Sequence, residues 1–389
     1  MMQEKRILHI MSSFGGGIST FIANLASQAQ SQRLIFDVVT YHVVPEHFKK
    51  MIEASGGHVY YMVNPKIEGW KAFKKSFVNV LQTRAYQAIY CHISGYRALA
   101  YYYLVKRTNP ILVEDFYIHA HYLFDPNNKG LKNRLTQRID PYINRSLSRI
   151  PVGCSSQAVQ SLFGLKAEVP FVVIPNSINP QDFFLDDTTI QAHYQKQHQG
   201  LEPGTLVVGQ VGRLEPIKNH QFSLQIVKES REGQHPIHLL IAGQGASQSS
   251  IEQRVEEMGL DSMVQFMGRL SPISGFLAGL DAVILPSIAE GFGTIVVEAQ
   301  ASGIPVLISD AVTLETDLGL GLIQQCELSQ GPRAWYDALV QLIGRQKKRP
   351  SVSDRQAAIE AHAFSNAAAL AIYRRMIDHQ LNEYYLEER

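Results

Sequence analysis

Short apolar runs alternate with longer stretches of helical periodicity along almost the whole chain. In the first half the runs are Ile7–Met11, Phe36–Tyr41, His58–Val63, Ala88–Ile93, Ile111–Phe116, Pro151–Cys154 and Phe171–Ile174. In the second half they are Leu206–Val211, Ile237–Ala242, Val264–Met267, Ala282–Leu285, Pro305–Ile308 and Leu322–Gln325. Many are continuously apolar rather than alternating, as in strands buried on both faces of a parallel sheet. Strands separated by helical patterns read as βαβ units. Their number is too large for one tidy sheet and predicts an α/β protein of two doubly wound, Rossmann-like domains facing a cleft. Periodicity fades into His- and Gln-rich sequence between about residues 176 and 204, so the expected domains are 1–178 and 179–365. From about Ser365 to Arg389 the pattern is helical, with no strand after it.

A length of 389 residues is comfortable for two domains, and 45% hydrophobic residues is ordinary for a globular protein. No apolar run approaches the roughly eighteen residues of a membrane-spanning helix. The opening MMQEKRILHIMSSFGGG is too short in apolar residues for a signal peptide, so a cytoplasmic location is expected. The three cysteines, Cys91, Cys154 and Cys326, sit in or beside apolar runs and read as buried, reduced thiols.

The net charge of +1 conceals an asymmetry. Residues 1–175 carry 20 Lys and Arg against 10 Asp and Glu, and the rest carries 16 against 25. A basic half suits an anionic membrane or an anionic acceptor. No nucleic-acid motif accompanies the charge, so nucleic acid is not an expected partner. Lys129, Lys132, Arg134, Arg138, Arg145 and Arg149 share a segment with Leu131, Leu135, Ile139 and Ile143, and Lys71, Lys74 and Lys75 add to the charge. This is a basic amphipathic pattern, a candidate for peripheral contact with the inner face of the cell membrane, or else a solvated helix.

Four groups of residues carry candidate chemistry. Gly15-Gly16-Gly17 follows the first strand and precedes a helical run, so its backbone can approach an anionic ligand, although a plain tight turn is the alternative. The spacing is not GxGxxG, which disfavours a dinucleotide cofactor. Gly212 to Asn219 occupies the equivalent position in the second half, where Arg213 and Lys218 can stabilise a departing diphosphate or stand as solvated cations. In Glu290-Gly291-Phe292-Gly293-Thr294, followed by Glu298, a helix is expected to start near Thr294 and present its N–H groups to phosphate. One carboxylate could then accept from a sugar ring and the other from ribose hydroxyls. His119 and His121, after the run Ile111–Phe116 and near its strand end, and His92, after Ala88–Tyr90, could contact the transferred sugar or the acceptor, or be structural. Gly243 and Gly245 form a weaker glycine pattern, either a ligand loop or a tight turn. No Asp-x-Asp occurs, so no metal is expected in the chemistry, and cations and helix starts must neutralise the charge.

Together these segments resemble the retaining glycosyltransferases of family 4, with the GT-B fold. Ile174-Pro175-Asn176-Ser177-Ile178-Asn179 is similar to that family's Pro-Asn-Gly-Ile-Asp segment, with Ser177 and Asn179 as departures. Ile118–His121, Cys154-Ser155 and Leu162–Gly164 look like the exopolysaccharide and capsule enzymes. The resemblance implies an N-terminal acceptor domain, a C-terminal donor domain, and a helix at about 366–389 returning to the first domain. It implies a nucleotide-sugar donor, UDP-sugar above others, a lipid-linked or glycan acceptor, and no cofactor. Arg213 and Lys218 would hold the diphosphate, Glu298 the ribose and Glu290 the sugar, and the leaving phosphate would take the acceptor proton during same-face attack. Gly15, Gly16, Gly17, Asn219, Gly243, Gly245, Gly291, Phe292, Gly293 and Thr294 complete the expected donor contacts. Two rival readings are a catalytically silent GT-B partner subunit that binds peptide or glycan and a sugar-nucleotide epimerase.

Overall fold

The computed structural model describes residues 3–12, 14, 17–123, 130–165, 169–346 and 348–381, with the backbone alone at 131–133. Gly15, Gly16 and Lys129, and the side chains of Leu131 and Lys132, lie outside the described residues. The chain divides into two compact units, Met1–Ile178 with Ala363–Arg389, and Asn179–His362.

The first unit contains β1 (Lys5–Ile10), β2 (Leu34–Thr40), β3 (Val59–Tyr61), β4 (Ala88–Cys91), β5 (Phe116–Ala120), β6 (Val152–Gly153) and β7 (Val172–Val173). They form one parallel sheet in the order β3-β2-β1-β4-β5-β6-β7. All seven residues of β2 are buried, including Asp37, which pairs with Arg6 at 2.7 Å, as in a strand covered on both faces. One expectation is corrected. The run Ile111–Phe116 is not a strand; Pro110–Val113 is a 3-10 turn, and the strand begins at Phe116. Pro110 cannot donate to a ladder, and Glu114-Asp115 interrupts the apolar run before it. His119 therefore lies inside β5 rather than after the strand, and His121 directly follows it.

The helix Asn366–Ile377 completes this unit. Leu370 and Tyr373 pack with Phe36, Tyr90 and Tyr117 in one buried cluster. Backbone bonds of 2.9 Å from Ile178 N–H to Phe364 O and from Asn366 N–H to Ile178 O tie the returning chain to the end of the first segment. Asp378 anchors the far end through Lys5 at 2.6 Å and Arg374 at 2.7 Å.

The second unit contains β8 (Leu206–Val211), β9 (Ile237–Ala242), β10 (Val264–Gly268), β11 (Ala282–Leu285), β12 (Val306–Ile308) and β13 (Ile323–Gln325). The order is β10-β9-β8-β11-β12-β13, again all parallel. In such a sheet the chain order reverses beside the first strand, and the loops leaving the two central strands open a crevice at their carboxyl ends. Here those loops follow β8 and β11. Buried Trp335, stacked edge-on to Phe222 at 5.5 Å, closes the core beneath them.

Candidate active site

The second unit builds its site from the loops after β8, β9 and β11. The first two are joined backbone to backbone: Gly212 N–H donates to Ala242 O at 3.0 Å and Leu214 N–H to Gln244 O at 3.1 Å. A Cβ at Gly243 would overlap the Gly212 carbonyl, and one at Gly245 would overlap that of Leu214. These two glycines thus permit the loops to touch, a packing duty distinct from the expected donor contact.

After Gly212 the chain makes a 3-10 turn, Pro216–Lys218, and leaves it through Asn219 at φ 55°, a left-handed conformation that Asn tolerates well. Asn219 makes no side-chain cap, so its observed contribution is backbone geometry that swings Lys218 toward the crevice. The Lys218 ammonium forms an ion pair with the Glu290 carboxylate, 72 residues away on the loop after β11. Each side chain is 16% exposed. Ser287 Oγ donates to the same carboxylate oxygen at 3.5 Å. Arg213 is separate from this pair: it contacts Glu215 at 2.7 Å, and its side chain is 60% exposed.

The loop carrying Glu290 ends at Gly293, whose φ of 83° places it in the left-handed region at the start of the helix Thr294–Ala301. Phe292 is buried and fixes the approach of the chain. The first N–H groups of that helix have no acceptor within it, which suits an anion. Glu298 lies one turn further on. Burial pushes its carboxyl up to about 7, and among the described residues no hydrogen bond or ion pair compensates. Nearby, His220 opens the next helix with burial as the main cause, and Lys218 as a second, of a pKa lowered to about 4.

The first unit gathers four histidines at the carboxyl end of its sheet. His9 Nδ1 lies 3.0 Å from His92 Nε2, and His92 Nδ1 lies 2.8 Å from His121 Nε2. His119 sits against His121 with ring centroids 4.0 Å apart. Burial drives all four well below the usual histidine range, to about 3 for His9 and His121, and neighbouring imidazoles add to this for His9, His92 and His119. They are therefore neutral near pH 7. Gly17 begins the helix Gly17–Gln28 above β1, with open space where a Cβ would stand.

Sequence reasoning selected Lys218, Glu290 and Glu298 but not the ion pair that joins the first two, because strand order cannot be read from spacing. It missed His9, hidden in an apolar run, as well as Ser287 and His220. A polar residue inside an otherwise apolar strand was the one available signal for His9.

Comparisons with known proteins bear on the fold and the class of activity. Residues 193–317 match the family model "Glycosyl transferases group 1". EpsF of Bacillus subtilis (strain 168), a glycosyltransferase by name, is 27% identical, covering 94% of this chain and 95% of its own. The D-inositol 3-phosphate glycosyltransferase of Corynebacterium urealyticum is 32% identical over 40% of this chain and 39% of its own. The crystal structure of Anabaena Alr3699/HepE in complex with UDP and glucose superposes with a TM-score of 0.75 at 18% identity, covering 96% of this chain and all of that one. With the group 1 match inside its second unit, two Rossmann-like units of the GT-B fold, and a likeness to EpsF along most of its length, the chain is a glycosyltransferase.

Proposed function

We propose that this glycosyltransferase moves a hexose or N-acetylhexosamine from a UDP-sugar to a glycan or lipid-linked acceptor in polysaccharide synthesis, with retention and without a metal. The observation that carries the reading is the Lys218–Glu290 pair at the switch point of the second sheet, beside the start of the helix Thr294–Ala301. Lys218, with Arg213, stabilises the diphosphate as the sugar C1–O bond breaks and charge collects on phosphate. The carboxylate of Glu290 restrains Lys218 and accepts from the sugar hydroxyls. Glu298 accepts from the ribose. The acceptor oxygen bonds to C1 on the face the phosphate leaves, and its proton passes to the leaving phosphate. His119 and His121 are neutral and suit hydrogen bonding to sugar rather than charge neutralisation. A UDP donor is favoured because a solved protein of this fold is described with UDP and glucose.

Release of UDP in the presence and absence of an acceptor glycan tests this reading against its rivals. Acceptor-dependent release is expected. Sugar isomerisation without acceptor would establish an epimerase, and no turnover of any UDP-, GDP- or ADP-sugar would establish a silent partner.

Peripheral membrane contact is the second part of the proposal. Leu135, Ile139 and Tyr142 are exposed at successive turns of the helix Leu131–Leu147, with exposed Arg134 and Arg138 among them. Lys71, Lys74 and Lys75 are exposed on the helix Pro65–Thr83. Arg145 does not belong to the free charge, because it donates to the carbonyls of Phe163 and Gly164. Among the described residues no helix is long and apolar enough to cross a membrane. Co-sedimentation with phosphatidylglycerol vesicles is expected at low salt and is lost at high salt; failure to bind at low salt removes this part.

A further inference from the structure

We propose that His92, His119 and His121 of the first unit form a binding site for a divalent transition-metal ion of the zinc class. One nitrogen from each ring lies within 4.8 Å of the others, a cluster assembled from the ends of β4 and β5. Three imidazoles converging from two adjacent strands are the donor set that zinc, nickel and copper favour.

Two observations point to a ligand rather than to ordinary packing. First, both ring nitrogens of His119 are buried without a hydrogen bond, the residue being 1% exposed. The backbone of Ile174 faces this ring outside hydrogen-bond geometry. Leaving a buried polar atom unsatisfied is costly, and coordination removes the cost at one of the two nitrogens. Second, the outer nitrogens of the other two rings have supports in place. With His92 binding through Nδ1, its Nε2–H donates to His9 Nδ1 at 3.0 Å. With His121 binding through Nε2, its Nδ1 faces the Asn176 side chain, whose Oδ1 is buried and otherwise unpartnered. Such partners fix the tautomer and orientation of ligating histidines.

Without the ion, His92 Nδ1 and His121 Nε2 share a proton across 2.8 Å. Two nitrogens on a tetrahedral zinc stand about 3.3 Å apart, so this pair must part by about half an ångström while the His119 nitrogen, within 4.8 Å of both, closes on the ion. His92 and His121 are each 9% exposed and provide the edge by which an ion enters. Three protein ligands leave a fourth position for water. This site uses nitrogen donors only and shares His119 and His121 with the sugar contacts proposed above. Because it occupies His119 and His121, loading it should lower transferase activity.

The test is titration of the EDTA-stripped full chain with Co2+, followed by displacement with Zn2+. The expected result is one Co2+ per chain, with the intense visible bands of four-coordinate nitrogen-bound cobalt, bleached by Zn2+, and a rise in Tm with Zn2+. His119→Gln should abolish the bands, Asn176→Ala should weaken Zn2+ binding about tenfold or more, and His198→Asn in the second unit should change neither. A folded wild-type chain that shows only the pale spectrum of six-coordinate cobalt overturns the proposal, as do full bands in folded His119→Gln. If His119→Gln does not fold, the wild-type spectrum and the Asn176→Ala affinity decide.

Discussion

A lysine and a glutamate separated by 72 residues become partners because β8 and β11 lie side by side. The pair holds Lys218 fixed where a long, flexible side chain would otherwise wander. Lys218→Ala and Glu290→Gln should each lower turnover more than about tenfold, equivalent to about 1.4 kcal/mol of barrier. The double variant should lose much less than the product of the two, since each acts through the other; steady-state kinetics on the three proteins checks this. Glu298 gives a prediction of a different kind. Its folded pKa of about 7 exceeds the unfolded value, so the folded chain holds a proton that the unfolded chain releases above about pH 4.5. The carboxyl therefore costs stability as pH rises toward and through 7. Glu298→Gln should raise Tm at pH 8 and leave it nearly unchanged at pH 4.5, which a thermal melt at the two values would show. The roles of these residues were open to sequence reading as candidates by their placement after apolar runs. Their contacts were not, because an ion pair across a sheet depends on strand order.

Among the elements, the runs Leu206–Val211, Ile237–Ala242 and Ala282–Leu285 coincide with β8, β9 and β11. Each is mostly β-branched or leucine-rich, with Gln210 and His238 as polar exceptions in the first two, and is stopped by glycine, proline or polar residues, so hydrophobicity and local turn chemistry agree. Ile111–Phe116 shows where that reading fails. Its apolar character belongs to a turn begun by Pro110, and the strand follows the acidic pair Glu114-Asp115. The loops were legible as glycine-rich but not in what the glycines do. Gly243 exists so that the loop after β9 can lie against the loop after β8. Gly243→Ala should cost about 1–3 kcal/mol by overpacking, and Gly293→Ala about 1–2 kcal/mol from left-handed strain. Gly17→Ala, with open space at its Cβ, should leave Tm unchanged. Denaturant melts of the three variants separate packing and conformational effects from any role in binding.

At the scale of the whole molecule, each unit repeats one arrangement: a parallel sheet whose central strand is flanked by a reversal of order, with chemistry-bearing residues at the carboxyl ends. The first unit presents neutral imidazoles there and the second a cation, a carboxylate pair and a helix start. The central claim is that Lys218, with Arg213 and the start of the helix Thr294–Ala301, holds a pyrophosphate without a metal. Calorimetric titration of UDP into the chain in EDTA, wild type against Lys218→Ala, tests it most directly. Binding that persists in EDTA and weakens at least about tenfold in the variant, about 1.4 kcal/mol, is the predicted result. Binding that appears only with Mg2+, or that is equal in the two proteins, would contradict it.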